Sequence, residues 1–110
     1  MAYDELLAQR VRERLAAETG VTEKAMFGGL AFLQDGNMAV GVSGAELMVR
    51  VGPGASDDAL ARPHTRAFDM TGRPMKGWIL VAPEGVAGDR ELAVWVAQGV
   101  GFARSLPAKG

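Results

Sequence analysis

The sequence predicts an α+β domain built on a mainly antiparallel sheet, and three observations carry that prediction. Apolar residues recur at helical spacing over the two ends of the chain. Between the ends, apolar runs of strand length alternate with turn residues, and consecutive early runs are separated by gaps that favour hairpins. The expected order is helix, four strands, short helix, one or two strands and helix (α-β-β-β-β-α-β-β-α), a sheet of about five strands flanked by helices.

At the start, Tyr3, Leu7, Val11 and Leu15 stand four apart with Leu6 beside them. Arg10, Arg12, Glu13, Arg14 and Glu18 fall mostly elsewhere, the pattern of an amphipathic helix over residues 3–18. Asp4 is placed to cap it and Gly20 to end it in a left-handed conformation. Leu6, Leu7 and Leu15 are assigned to the core. The period then changes. Met26-Phe27, Leu30 to Leu33, Met38 to Val42 and Leu47 to Val51 read as four strands of a meander, with turns at Asp35-Gly36-Asn37 and Ser43-Gly44-Ala45. Leu47, Val49 and Val51 share one face and leave Met48 and Arg50 on the other, which fits a sheet covered on a single side. Gly28-Gly29 and Gly41 mark a bulge, a sharp bend or a close backbone approach.

After Gly52-Pro53-Gly54, Ser56 is placed to cap a short helix through Ala61, with Asp57 and Asp58 in its first turn and Pro63 stopping it near Arg62. Ala67 to Met70 is expected as a short edge strand and Thr71 to Pro74 as a turn. Gly77 to Ala82 is a further strand, whose apolar neighbours imply burial of Trp78. The last helix begins near Asp89 and puts Leu92, Trp95, Val96, Gly99, Phe102, Ala103 and Leu106 on one stripe, with Trp95 and Phe102 in the core. Gly99 and Gly101 each cost about 1 kcal/mol against alanine in such a helix, so they allow tight packing or mark a weak turn. Residues 1–106 are expected as one domain and 107–110 as a flexible tail.

Composition narrows the chemistry. With 110 residues the chain has room for one core, and 48% hydrophobic against 23% charged residues is ordinary for a globular domain. A net charge of −1 gives no overall pull toward nucleic acid or anionic membrane. The absence of cysteine excludes disulfides, thiolate metal sites and a cysteine nucleophile, and suits a cytoplasmic address; the single histidine, His64, excludes a two-imidazole site. No apolar run is long enough to span a membrane, and Asp4 and Glu5 stand where a secretory leader would carry positive charge. No phosphate-binding glycine loop, zinc motif or nucleophile elbow occurs. Ser43, Ser56 and Ser105 fall at turns, a cap and a helix end. Neither cofactor nor metal is expected, and no residue is assigned a catalytic role.

The basic concentration lies in residues 62–76, where Arg62, Arg66, Arg73 and Lys76 oppose Asp69. With His64 and nearby backbone N–H groups it could hold a carboxylate, a phosphate or an acidic partner surface; the alternative is ordinary loop charge, with Asp69 paired to Arg73 or Lys76. Arg50 is either a solvent-facing strand residue, a pair to Asp69 or a ligand contact. Single-strand nucleic-acid binding is disfavoured, since Phe68 is the one aromatic inside the cluster and Trp78 is expected to be buried. If Met48, Met70 and Met75 lie on the uncovered face, they form an apolar patch suited to a partner or a second copy.

The series Met26-Phe27-Gly28-Gly29-Leu30-Ala31-Phe32, Gly36-Asn37-Met38, Leu47 to Gly52, Ala59 to Pro63 and Phe68 to Trp78 resembles the N-terminal domain of the TfoX/Sxy family over nearly the whole chain. The resemblance implies a curved antiparallel sheet flanked by helices, similar to secretion-chaperone folds, in a bacterial cytoplasmic protein. Longer members of that family are competence regulators that act with the cyclic-AMP receptor protein and carry a second, helical domain, which this chain is expected to lack. The resulting expectation is a non-catalytic domain that binds a protein, with the transcription machinery as the candidate source, and self-associates, using the uncovered sheet face and the 62–76 loop. The rival readings are a small-anion pocket formed by Arg50, Arg73 and Lys76 with Asp69 holding one cation, a nucleic-acid module on the same loop, and an enzyme of unknown type.

Overall fold

The computed structural model describes residues 3–26, 28–69 and 74–108, with Asp69 and Pro74 as backbone alone. Helix α1 (Glu5–Leu15) begins where expected: Asp4 accepts hydrogen bonds from the backbone N–H groups of Leu6 (2.9 Å) and Leu7 (3.2 Å), satisfying two of the donors that a helix start leaves free. Its buried stripe is Leu7, Ala8, Val11 and Leu15. Leu6, assigned to the core from sequence, is instead 71% exposed, because Ala8 flanks the inward stripe and Leu6 lies around the helix from it.

Six antiparallel strands follow, β1 (Val21–Met26), β2 (Gly29–Gln34), β3 (Asn37–Ser43), β4 (Glu46–Arg50), β5 (Thr65–Asp69) and β6 (Pro74–Val81), in the sheet order β1-β2-β3-β4-β6-β5. The α+β order is the expected one, with both of the later strands formed. Strand β1 begins at Val21, five residues before the Met26-Phe27 run. It is an edge strand with four exposed residues in a row, so no apolar alternation announces it. Arg12 of α1 grips it through a two-pronged contact with Glu23 (2.7 and 2.9 Å), which raises the Arg12 pKa. The β2–β3 turn has positive φ at both Asp35 (54°) and Gly36 (84°), the type I′ geometry that matches the twist of a hairpin.

A bulge shifts the β2–β3 register: Phe32 faces Val40 but Leu33 faces Met38, so Ala39 is the additional residue. Ala39 and Val40 both join the helix-side core, and Met38 goes to the opposite face. That core holds Phe32, Val40, Val42, Leu47, Val49, Ile79 and Val81 of the sheet against α1 and Leu92, Trp95 and Val96 of α3 (Asp89–Arg104). At Gly99 a Cβ would lie 2.4 Å from the Ala39 carbonyl oxygen, so this glycine lets α3 rest on the sheet backbone; at Gly101 a Cβ would meet nothing within 4 Å.

The short helix α2 (Ser56–Leu60) follows a 3-10 turn over Pro53–Ala55. Ser56 does not cap it. Its backbone is already helical (φ −62°, ψ −47°), the flanking residue is Ala55, and the buried Ser56 hydroxyl oxygen accepts the backbone N–H of Gly77 at 3.1 Å. Gly77 has φ 92°, and its carbonyl accepts both the Val51 and Gly52 N–H groups, kinking β6 beside the end of β4. At the far end, the Pro107 carbonyl accepts a hydrogen bond from Asn37 Nδ2 (2.9 Å).

Candidate functional site on the open sheet face

Strand alternation and register place one row of residues across the face opposite the helices. Lys24 of β1 pairs with Ala31 of β2, Ala31 with Gly41 of β3, Gly41 with Met48 of β4, Met48 with Leu80 of β6 and Leu80 with Arg66 of β5. Ala31 and Gly41 leave a hollow in mid-row. A Cβ at Gly41 would lie 2.9 Å from Met38 Cε and 3.1 Å from Met48 Cε, so the two thioether ends fold into that hollow. Ala31, Met38, Met48 and Leu80 thereby form a second apolar cluster, each no more than 9% exposed, with Met26, Phe68 and Trp78 half-buried around it.

The expected patch of Met48, Met70 and Met75 is therefore revised. Met48 is buried because it fills the space above Gly41; Met75 is half-buried, and Met70 lies outside the described residues. Trp78, expected to be buried, is half-buried, because β6 alternates and places it on this face with Leu80 rather than in the helix-side core with Ile79 and Val81. Phe102 is likewise only half-buried, since Arg50 lies over it rather than the core enclosing it.

Arg50 faces Trp78 across the β4–β6 pair, and its guanidinium carbon lies 5.0 Å from the Trp78 ring centre and 5.4 Å from that of Phe102 on α3. Two rings thus hold one half-buried cation at the end of β4, within the range of cation–π attraction. Its pairing to Asp69 lies outside the described side chains. On the far edge, Arg66 holds both carboxylate oxygens of Glu46, at 2.6 and 3.2 Å.

The basic segment does not act as one patch. Arg62 lies on the helix side, its guanidinium carbon 3.4 Å from the Trp95 ring centre and its Nη1 donating to Gln98 Oε1 at 2.9 Å; burial lowers its pKa. His64 is exposed, with a left-handed backbone (φ 66°) locked by its carbonyl accepting the Ala82 N–H at 2.8 Å. These two residues line a cleft of about 300 Å³ with Glu84, Glu91 and Trp95. Arg66 stands on the open face, Lys76 is exposed on β6, and Arg73 lies outside the described residues, as does the Thr71–Gly72 part of the expected turn. The structure brings Arg50 together with Trp78 and Phe102, a grouping absent from the sequence reading.

Among the described residues, no group of three His, Cys, Asp or Glu side chains could hold a metal, and no helix is long and apolar enough to cross a membrane. A search of the curated proteins gives no match. The family model described as the TfoX N-terminal domain matches residues 13–103, from inside α1 to the last turn of α3. That span takes in the whole sheet, its bulges and the Arg50–Trp78 pair, so the chain belongs to the TfoX N-terminal domain family.

Proposed function

We propose that this domain is a non-catalytic regulatory module that works by binding another protein through its open sheet face, in the service of transcription control. The observation that carries the reading is the ring of half-buried Met26, Phe68, Trp78 and Arg50 around a methionine-roofed apolar centre, on the face that α1 and α3 leave uncovered. Aromatic, methionine and arginine side chains are the types enriched where proteins meet, and unbranched thioethers repack to suit a partner. Family membership supports a regulatory setting. The surface also suits a second copy of the chain.

Affinity capture from the source organism, with the wild-type chain and with Trp78→Ala and Met26→Glu, tests this. A specific protein recovered by the wild type and lost by both folded variants is the expected result, and a transcription component or the chain itself would identify the setting. Recovery that is indifferent to both substitutions overturns the choice of face.

A further inference from the structure

Resting on that reading of the open face, we infer that its partner presents an acidic segment carrying apolar side chains. Register places Lys24, Arg50, Arg66 and Glu46 on this face, and both oxygens of Glu46 are already held by Arg66. Among the described residues Lys24 and Arg50 form no ion pair. Among the described residues the Arg50 guanidinium makes no side-chain hydrogen bond, so while Trp78 and Phe102 stand within cation–π range its N–H donors remain for a carboxylate. The rings also fix the side chain in advance, which lowers the ordering cost of binding.

The helix side is of mixed charge, with Arg10, Arg12, Arg14, Arg90 and Arg104 on α1 and α3 among its acids, and Asp89 paired to Arg10. Asp57, Asp58, Glu84, Asp89 and Glu91 belong to α2, α3 and the 3-10 turn at Pro83–Val86. On the open face Lys24, Arg50 and Arg66 outnumber Glu46, so local charge there favours an acidic segment although the whole chain is at −1.

The spacing sets the length of the segment. Lys24 on β1 and Arg50 on β4 are three strands apart, about 14 Å at ordinary strand separation, and Arg50 is two residues along β4 from the row that contains Lys24, a further ~7 Å. The resulting ~16 Å is spanned by about five extended residues. Two acidic side chains at that interval would reach Lys24 and Arg50, and the apolar residues between them would lie over Ala31, Met38 and Met48. A single-stranded nucleic acid fits this centre less well, because thioethers and a leucine occupy the position where bases would need flat rings.

Fluorescence anisotropy with labelled peptides of about twelve residues tests the inference on the full chain. One peptide alternates Asp or Glu with Leu and Phe; a second replaces the acids by Lys; a third replaces the apolar residues by Ser; an oligo-dT of similar length is the fourth probe. The acidic-apolar peptide is expected to bind at least about tenfold more tightly than the other three and to weaken with salt. Arg50→Ala and Lys24→Glu should each weaken it by about fivefold, and Asp57→Ala on the helix side should leave it unchanged, with folding checked by circular dichroism. Equal binding of the Lys or Ser peptide, or tighter binding of oligo-dT, overturns the inference. If no peptide binds while capture of the native partner still depends on Trp78, the acidic-apolar chemistry falls and the choice of face stands; if capture ignores Trp78, the face itself falls.

Discussion

The two faces of one sheet are closed by opposite means. Facing the helices, Val40, Val42, Val49, Ile79 and Val81 are branched side chains with few rotamers, and α1 and α3 cover them. On the other face, Met38 and Met48 fold their own ends over Ala31 and Gly41. Branched side chains favour one packing arrangement, whereas unbranched thioethers can fill the same space in several. Stiffness and adaptability are thus separated by the thickness of a single sheet.

The sharpest way to break this comparison is to open a cavity on each side. Phe32 is 1% exposed in the helix-side core, and Phe32→Ala should cost about 3–5 kcal/mol, read from urea unfolding. Met48→Ala should cost about 2 kcal/mol, because neighbouring thioethers can move into the space, and Met48→Leu under about 1.5 kcal/mol. Equal losses for Phe32→Ala and Met48→Ala would make the open face a second rigid core and remove the physical basis for an adaptable surface.

Legibility in the sequence followed the same division. The hairpin at Asp35-Gly36, the cap at Asp4 and the face shared by Leu47 and Val49 were readable because each depends on residues close in sequence. The start of strand β1 is not legible, because an exposed edge carries no apolar period. The grouping at Arg50 is half legible: alternation puts Arg50 on the face of Met48, but its meeting with Trp78 depends on β4–β6 register, and with Phe102 on where α3 ends. The cations at 62–76 looked like one patch because they are adjacent in sequence, whereas β5 carries Arg66 to the sheet while Arg62 stays over Trp95. Long-range pairing decides such sites, and local pattern does not encode it.

Ser56 sharpens the comparison at the junction of the faces. Its hydroxyl accepts the Gly77 N–H in a buried setting, and Gly77 is the kink that precedes Trp78. Ser56→Ala leaves that N–H without its partner and should cost about 1–2 kcal/mol. Faster amide exchange at Gly77, with a shift in Trp78 fluorescence, is the accompanying signature. A stability loss without either change would mean that the hydroxyl packs α2 but does not position the aromatic.

The smallest effect comes from two glycines that sequence alone could not tell apart. Both Gly99 and Gly101 lie inside α3, where alanine is intrinsically favoured by about 1 kcal/mol. At Gly101 nothing stands within 4 Å of an added Cβ, so Gly101→Ala should realise most of that gain as a small rise in the urea midpoint. At Gly99 the same Cβ would lie 2.4 Å from the Ala39 carbonyl oxygen and 2.7 Å from Val40 Cγ1, and backbone there cannot yield cheaply. Gly99→Ala must lift α3 off the bulge, so overpacking outweighs propensity and the midpoint falls. Because Ala39 is the additional residue of that bulge and Met38 beside it belongs to the opposite face, displacement at Gly99 should also loosen the methionine roof. Opposite signs for the two substitutions, with methyl resonances of Met38 moving only in Gly99→Ala, would show that the covered face sets the shape of the open one.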